Sequence, residues 1–271
     1  MATLSLGPLA LPLNPLLLLL GWWLASALAE RLAGESRPFA SKAFVLAGLA
    51  GLLAARTGFV VQAFDAYAAS PLSVLDMRDG GWSPWPGFVA ALGVLSWFGL
   101  RSAALRKPLA AGAIAGLAVW TGLSAVLGIH DRTTLPALTL QRLDEAPTAL
   151  SQAAAGRPAV VNLWATWCPP CRVEMPLLAD AQKREPGVAF VFVNQGEGAA
   201  VVEHWLSLQA YVLGNVLLDM RRQAGAAVGS SGLPTTLFYD AGGRLVERHV
   251  GPLSAASLEG KLRRLRYEAP P

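Results

Sequence analysis

The chain has 271 residues, of which 54% are hydrophobic and 15% are charged. Soluble domains are typically about 45–50% apolar and about 25% charged, so this composition excludes an ordinary soluble protein and a disordered one. Two cysteines are too few for a disulfide-stapled scaffold. The net charge of +4 is not gathered into a basic run with interleaved aromatic residues, which argues against nucleic-acid binding.

The charged residues divide the chain into two halves. Only 13 of the 40 Asp, Glu, Lys and Arg residues lie in residues 1–130, and the other 27 lie in residues 131–271. A run of about 140 residues is long enough for one compact domain with its own core. We therefore predict a transmembrane region over residues 1–130 and a soluble domain over residues 131–271.

Four apolar stretches in the first half predict membrane-spanning helices. Each has about 19–22 residues, the length that a helix needs to cross the hydrocarbon core. A cleavable signal peptide is rejected for the first stretch, because no basic residue precedes it and its apolar run is too long. The stretches are Leu9–Ala29, Ala43 to about Phe64, about Trp82 to Leu100, and Leu109–Ile129. The expected architecture is an all-α bundle of four transmembrane helices.

Lysine and arginine residues between these stretches predict the orientation of the chain. Basic residues follow the first and the third stretch: Arg31, Arg37, Lys42, Arg101, Arg106 and Lys107. Basic loops stay in the cytoplasm, so the N-terminus and the second half are expected on the opposite side. This predicts a multi-pass membrane protein whose soluble domain faces the periplasm or its equivalent.

Arg56 lies inside the second apolar stretch, where a cation is costly unless it faces a polar interior or extends to the membrane surface. One interpretation is that its side chain snorkels to the nearby outer surface. The other is a contact with a lipid phosphate or an acidic loop residue. Arg78, in the loop that follows, is the second candidate lipid contact.

Three segments of the first half form a recognisable pattern: Gly7–Pro12 before the first leucine-rich stretch, Ala55–Val61, and Gly80–Gly87. In these segments, residues of about 5–125 resemble the first helices of prolipoprotein diacylglyceryl transferases. Trp85 stands where that family has a histidine that is important for activity. The resemblance implies a related helical scaffold with a phospholipid contact near Arg56 and Arg78. It does not imply transferase chemistry, because an indole cannot transfer a proton as histidine does.

Short apolar runs separated by turns predict an α/β domain in the second half. Strands alternate with helices and finish in a hairpin, a pattern typical of helices packed on a mixed sheet. The predicted strands are 159–164, 188–193, 216–218, 235–239 and 244–249, and the predicted helices are 169–184, 199–210 and 254 to about 266.

Both cysteines lie in the segment Trp-Cys-Pro-Pro-Cys, at the junction of a predicted strand and helix. A helix N-terminus stabilises a thiolate, so Cys168 is predicted to be the nucleophile and Cys171 the resolving thiol. A zinc site would need further ligands, which the three histidines do not offer at ligand spacing. A purely structural disulfide closing so small a loop would contribute little stability. Neither a metal nor a cofactor is expected beyond the redox-active cysteine pair.

Residues of about 135–268 resemble the thioredoxin fold, and more narrowly the TlpA/ResA-type periplasmic thiol-disulfide reductases. The resemblance is carried by Leu163–Pro176, Val193–Glu197, Gly232–Thr236 and Gly251. It implies that Pro234 follows a cis peptide bond beside the cysteines, and that the backbone of Leu233 pairs with an extended substrate segment. Gly251 would keep the surface beside the cysteines open, and Trp167 would form an aromatic platform there.

Thioredoxins carry a buried aspartate in the strand before the motif, but this chain has Asn162, which cannot titrate. The resemblance places Glu197 near the cysteines instead, where a carboxylate would raise the pKa of the thiols and relay a proton. The alternative is a solvated loop residue.

The sequence therefore predicts a membrane-anchored periplasmic thiol-disulfide oxidoreductase, a reductase or isomerase acting on protein disulfides. The proline pair between the cysteines lacks a basic residue that would favour an oxidant. Residues 1–130 contain no cysteine, so a separate transmembrane electron donor is expected to supply reducing equivalents. The alternatives are a membrane or lipid-docking module with a redox sensor domain, and a diacylglyceryl transferase relative.

Overall fold

The computed structural model describes residues 3–6, 9–68, 74, 81–127, 134–230 and 232–268. The chain divides into two compact units. One unit is built from the long helices of the N-terminal half, and the other contains residues 132–271.

Four long helices form the first unit: α1 (Leu13–Ala33), α2 (Arg37–Gln62), α4 (Pro84–Arg101) and α5 (Ala103–Val126). A short helix, α3 (Phe64–Ala68), follows α2, and a 3-10 turn at Gly34–Ser36 separates α1 from α2. Strands β1 (Thr3–Leu6) and β2 (Leu9–Pro12) form a two-stranded sheet. The predicted start of the first helix at Leu9 is therefore wrong. Residues Leu9–Pro12 are apolar but form the second strand of this sheet, so α1 begins only at Leu13.

Small residues bring the long helices close together in two pairs, α1 with α5 and α2 with α4. A Cβ atom added to Gly112 would lie 2.5 Å from the carbonyl oxygen of Ala25. One added to Gly87 would lie 2.8 Å from the carbonyl oxygen of Gly51. Membrane helices often associate in this way, because lipid provides no hydrophobic driving force between them.

Two stretches of the described residues are long and apolar enough to cross a membrane, Leu13–Gln62 and Ala103–Val126. The first contains both α1 and α2. The predicted count of four spans is not confirmed by this criterion, and α4 is the shortest of the long helices with 18 residues. At 1.5 Å per residue, α4 reaches about 27 Å, slightly less than the usual hydrocarbon thickness.

A seven-stranded mixed sheet forms the centre of the second unit, with the strand order β4-β3-β7-β6-β5-β8-β9. Strands β5, β6 and β7 are parallel, and β8 and β9 return antiparallel to β5 and to each other. The strands are β3 (Thr139–Arg142), β4 (Pro147–Ala149), β5 (Ala159–Trp164), β6 (Ala189–Gln195), β7 (Val216–Asp219), β8 (Thr235–Tyr239) and β9 (Leu245–Val250). The helices are α6 (Leu150–Ala154), α7 (Pro169–Arg184), α8 (Ala199–Ser207), α9 (Gln223–Ala227) and α10 (Ala255–Glu268).

Two hydrophobic clusters cover the two faces of this sheet. One contains side chains of α7, α8 and α10, and the other contains side chains of α6 and α9. Strand β5 is buried at every residue, which explains why it is a continuous apolar run broken only by Asn162. The predicted thioredoxin-like fold is confirmed. The hairpin β3–β4 and the short helices α6 and α9 were not predicted, because each has too few residues for a clear periodicity.

Candidate functional site around the Cys168–Cys171 disulfide

The two cysteines form a disulfide at the start of α7, directly after β5 and a short loop. Cys168 is the N-cap residue of α7, and its Sγ accepts a hydrogen bond from the backbone N–H of Cys171 at 3.3 Å. Pro169 and Pro170 occupy the first helical turn, where their missing N–H groups would be unpaired in any case. Cys168 is 3% exposed and Cys171 is fully buried, so the first sulfur is the more accessible of the two.

The loop before β8 packs against the cluster that contains both cysteines. The Leu233–Pro234 peptide bond is cis, as the resemblance implies, and Leu233 packs against that cluster. The carbonyl oxygen of Pro234 accepts a hydrogen bond from the N–H of Gly251 at 2.9 Å. Gly251 has a φ of 104° and open space where a Cβ atom would be, so glycine both permits this backbone conformation and leaves the surface uncovered.

Glu197, which follows β6, holds the loop that leads to Cys168. Its carboxylate accepts hydrogen bonds from the backbone N–H of Thr166 at 2.8 Å, from the Thr166 hydroxyl, and from Nδ2 of Asn194 at 2.7 Å. Thr166 lies two residues before Cys168. The carboxylate is therefore engaged by Thr166 of the loop before Cys168 and by Asn194 of β6.

Glu174 is a buried carboxyl group to which sequence reasoning assigned no function. It lies one turn after Cys171 on α7 and is 1% exposed. Its Oε1 accepts a hydrogen bond from Nδ2 of Asn162 on β5 at 2.8 Å, and its Oε2 accepts one from the N–H of Leu253 at 2.9 Å. The same Nδ2 of Asn162 also donates to Oγ1 of Thr236 on β8 at 2.9 Å. Glu174 thus connects α7, β5 and the loop after β9.

Burial raises the pKa of Glu174 to about 7, against the opposing effect of its hydrogen bonds from Leu253 and Asn162. The buried position of Glu174 could have been predicted from the sequence. The helical periodicity that places Cys171, Met175 and Leu178 in the core also places Glu174 there. A carboxyl group at a core position is unusual unless it is paired or functional.

Arg56 is buried in the first unit and contacts the segment between α3 and α4. Its guanidinium donates to the carbonyl oxygen of Val74 at 2.7 Å and to that of Gly81 at 2.8 Å, and it lies 5.5 Å from the ring centroid of Tyr67. Trp85, at the position of the transferase histidine, is 76% exposed. The other candidate lipid contact, Arg78, lies outside the described residues.

A cysteine pair at a helix N-terminus of a thioredoxin fold, beside a cis-proline loop, defines a thioredoxin-like redox protein. The comparisons with known proteins agree with this class. Residues 131–262 match the Redoxin family, and residues 2–125 match the prolipoprotein diacylglyceryl transferase family. The first half therefore shares that family's sequence pattern, although Trp85 replaces the histidine.

Three curated relatives cover parts of the second half. The thiol:disulfide interchange protein DsbE homolog of Paracoccus denitrificans is 38% identical over 35% of this chain and 51% of its own length. HelX of Rhodobacter capsulatus is 30% identical over 47% of this chain and 72% of its own length. The thiol-disulfide oxidoreductase ResA of Bacillus subtilis is 33% identical over 38% of this chain and 58% of its own length. The chain belongs to the thiol:disulfide interchange family, although it spans only about half the length of the Paracoccus relative.

The raised pKa of Glu174 makes the stability of the oxidised protein depend on pH. Its pKa rises from the ordinary 4.5 to about 7 in the folded state, so the folded protein holds a proton that the unfolded chain releases. The contribution of Glu174 to stability is therefore fully present below about pH 4.5 and is lost as the pH rises through about 7, a change of about 3 kcal/mol. We expect Glu174→Gln to remove this fall, because the amide does not titrate.

Thermal unfolding of the oxidised full chain at about pH 5 and about pH 8 measures the difference. Glu203→Gln, at an exposed site on α8, is the matched control and should keep the wild-type dependence. Parallel curves for wild type and Glu174→Gln would contradict the assignment.

Proposed function

We propose that the chain is a membrane-anchored thiol-disulfide oxidoreductase that reduces or isomerises protein disulfides in the periplasm. The observation that carries the proposal is the disulfide itself. Cys168, the more exposed of the two cysteines, is the N-cap residue of α7, and Cys171 is fully buried. The titratable carboxyl group of Glu174 is buried one turn further along α7. The named functions of the DsbE, HelX and ResA relatives support the same reaction class.

The exchange proceeds from the reduced dithiol. The thiolate of Cys168 attacks one sulfur of a substrate disulfide, forms a mixed disulfide and releases the first substrate thiolate, which takes up a proton. Cys171 then loses its proton and attacks the sulfur of Cys168. This releases the second substrate thiol and forms the Cys168–Cys171 disulfide. Two electrons pass to the substrate, and the two protein thiols become one disulfide.

The residues around the disulfide have separate roles in this proposal. Glu197 positions the loop before Cys168 and relays a proton, and Glu174 accepts the proton of Cys171, because a carboxyl group with a pKa near 7 exchanges protons readily at neutral pH. Leu233, Pro234, Gly251 and Trp167 form the surface that receives the substrate.

Repeated turnover requires a reductant, because each reduction leaves the chain oxidised. Both cysteines of the sequence are in the disulfide, so residues 1–130 cannot carry electrons by thiol relay. We propose a separate transmembrane dithiol donor as the partner that restores the reduced form.

The membrane topology is part of the proposal. We propose that residues 1–130 form four transmembrane helices, α1, α2, α4 and α5, and that residues 131–271 form the periplasmic domain. The 3-10 turn at Gly34–Ser36 supports two crossings in the long apolar stretch, since about 20 residues suffice for one. Contact of Arg56 or Arg78 with a lipid phosphate stays a prediction.

Catalysed reduction of insulin by dithiothreitol tests the reaction. We expect the full chain in a non-ionic detergent to accelerate the reduction, and Cys168→Ser to return it to the uncatalysed rate, because the nucleophile is lost. Cys171→Ser should stop turnover at the mixed disulfide. Absence of acceleration by the wild-type protein would overturn the proposed function and favour a docking module.

A reporter enzyme that is active only in the periplasm tests the topology. We expect a fusion after Pro271 to be active, because two cytoplasmic basic loops leave the C-terminal half outside. A fusion after Ser102, between α4 and α5, is the matched control and should be silent. The reverse pattern would contradict the orientation.

A further inference from the structure

A groove opens beside the disulfide, between the first turns of α7 and helix α8. It has a volume of about 360 Å³ and is lined by Pro169, Arg172, Val173, Trp205 and Gln209. Pro169 directly follows Cys168 in the chain, so the groove adjoins the helical turn that begins at this cysteine. This volume is at the small end of ligand sites and suits one or two side chains rather than a cofactor.

The groove has both polar and apolar walls: Arg172 and Gln209 form the polar part, and Pro169, Val173 and Trp205 form the apolar part. The apolar part is supported from behind. The ring of Trp205 packs on that of the buried Trp164, with centroids 5.1 Å apart. Val173 is 76% exposed at the rim. Nε2 of Gln209 donates to the carbonyl oxygen of Trp205 at 2.9 Å, so this amide is already engaged. The charged group of the groove is Arg172.

A second arginine, Arg222, lies near Trp167, the residue that precedes Cys168. The guanidinium carbon of Arg222 is 5.8 Å from the ring centroid of Trp167, and the Trp167 side chain is 56% exposed. Across the described ranges, neither Arg172 nor Arg222 has a carboxylate oxygen within 4.0 Å. Both arginines are exposed.

The nearby carboxylates are engaged elsewhere. Glu197 accepts hydrogen bonds from Thr166 and Asn194. Asp219 is buried and accepts bonds from the N–H groups of Gln223 and Ala224. The surface near the disulfide therefore presents two cations that have no carboxylate partner among the described residues.

We propose that this surface recognises an acidic, extended protein segment that carries the substrate disulfide. Carboxylates of the segment pair with Arg172 and Arg222, and a neighbouring apolar side chain enters the groove between α7 and α8. Guanidinium groups bind carboxylates in fixed, often bidentate geometry, while a basic segment is repelled by the same two charges. This inference rests on the proposed function and specifies its substrate class.

Disulfide-linked peptide dimers test the proposal in single-turnover reactions with the reduced full chain in non-ionic detergent. The peptides are identical except for the residues flanking cysteine, which are Asp, Asn or Lys. We expect the Asp peptide to react about 10-fold faster than the Lys peptide at low ionic strength, with the preference lost at about 0.5 M salt. Each peptide also carries one leucine as the apolar side chain that enters the groove. Replacing this leucine by serine in the Asp peptide should slow the reaction about 5-fold.

The double variant Arg172→Glu/Arg222→Glu should reverse the preference, so that the Lys peptide reacts faster. A reversed order cannot arise from misfolding. Arg184→Glu/Arg263→Glu changes the net charge equally and is the matched control, because Arg184 lies at the opposite end of α7, about 18 Å from Arg172 along the axis. The control should keep the wild-type preference.

Equal rates for the three peptides with the wild-type protein would overturn the acidic-substrate inference and leave the proposed function intact. So would a preference that survives in the Arg172→Glu/Arg222→Glu variant. Failure of the wild-type protein to react with any peptide would instead overturn the proposed function, and the inference with it.

Discussion

The buried carboxyl group of Glu174 joins the three parts of the chain that meet at the disulfide. It accepts one hydrogen bond from Asn162 on β5 and one from the N–H of Leu253 after β9, while its own backbone belongs to α7. Removing a carboxyl group from water is costly unless its oxygens are hydrogen-bonded, so both contacts are needed. Cys168 lies between β5 and α7, the two elements that the Asn162–Glu174 hydrogen bond joins.

The two halves of the chain are stabilised by different physics. In the second unit, apolar side chains on both faces of one sheet supply the burial that orders the site. In the first unit, long helices approach through glycine and alanine, and their apolar side chains face outward, as Leu53 and Leu100 do at 68% and 74% exposure. Such surfaces are stable in lipid and not in water. The unusual composition of the whole chain is thus the average of an apolar first half and a second half with the ordinary composition of a soluble domain.

The sequence predicted the elements that carry strong local signals. Strand β5 and helix α7 begin and end as predicted, because a continuous apolar run and a proline pair after Cys168 define them. The predicted start of the first helix was wrong, because the apolar residues Leu9–Pro12 form strand β2 and apolar character alone does not distinguish a strand from a helix.

The pairing of the two cysteines and the cis peptide bond before Pro234 agree with what the sequence indicated, and the roles assigned to the site residues stay predictions. The cysteine spacing and the Gly-Leu-Pro segment are local, so residues 168, 171 and 234 could be assigned. The link from Glu174 to Leu253 joins residues 79 positions apart and has no sequence signature. The arginines that flank Cys168 are also brought together only by the fold, since Arg222 comes from the turn after β7.

The central claim is that Cys168 attacks and Cys171 resolves. Intact mass measured over time, after a disulfide peptide is mixed with reduced Cys171→Ala or reduced Cys168→Ala, tests it directly. The helix N-terminus and the greater exposure of the first sulfur should make the adduct on Cys168 form at least about 10-fold faster than an adduct on Cys171. Equal rates, or a faster adduct on Cys171, would contradict the account.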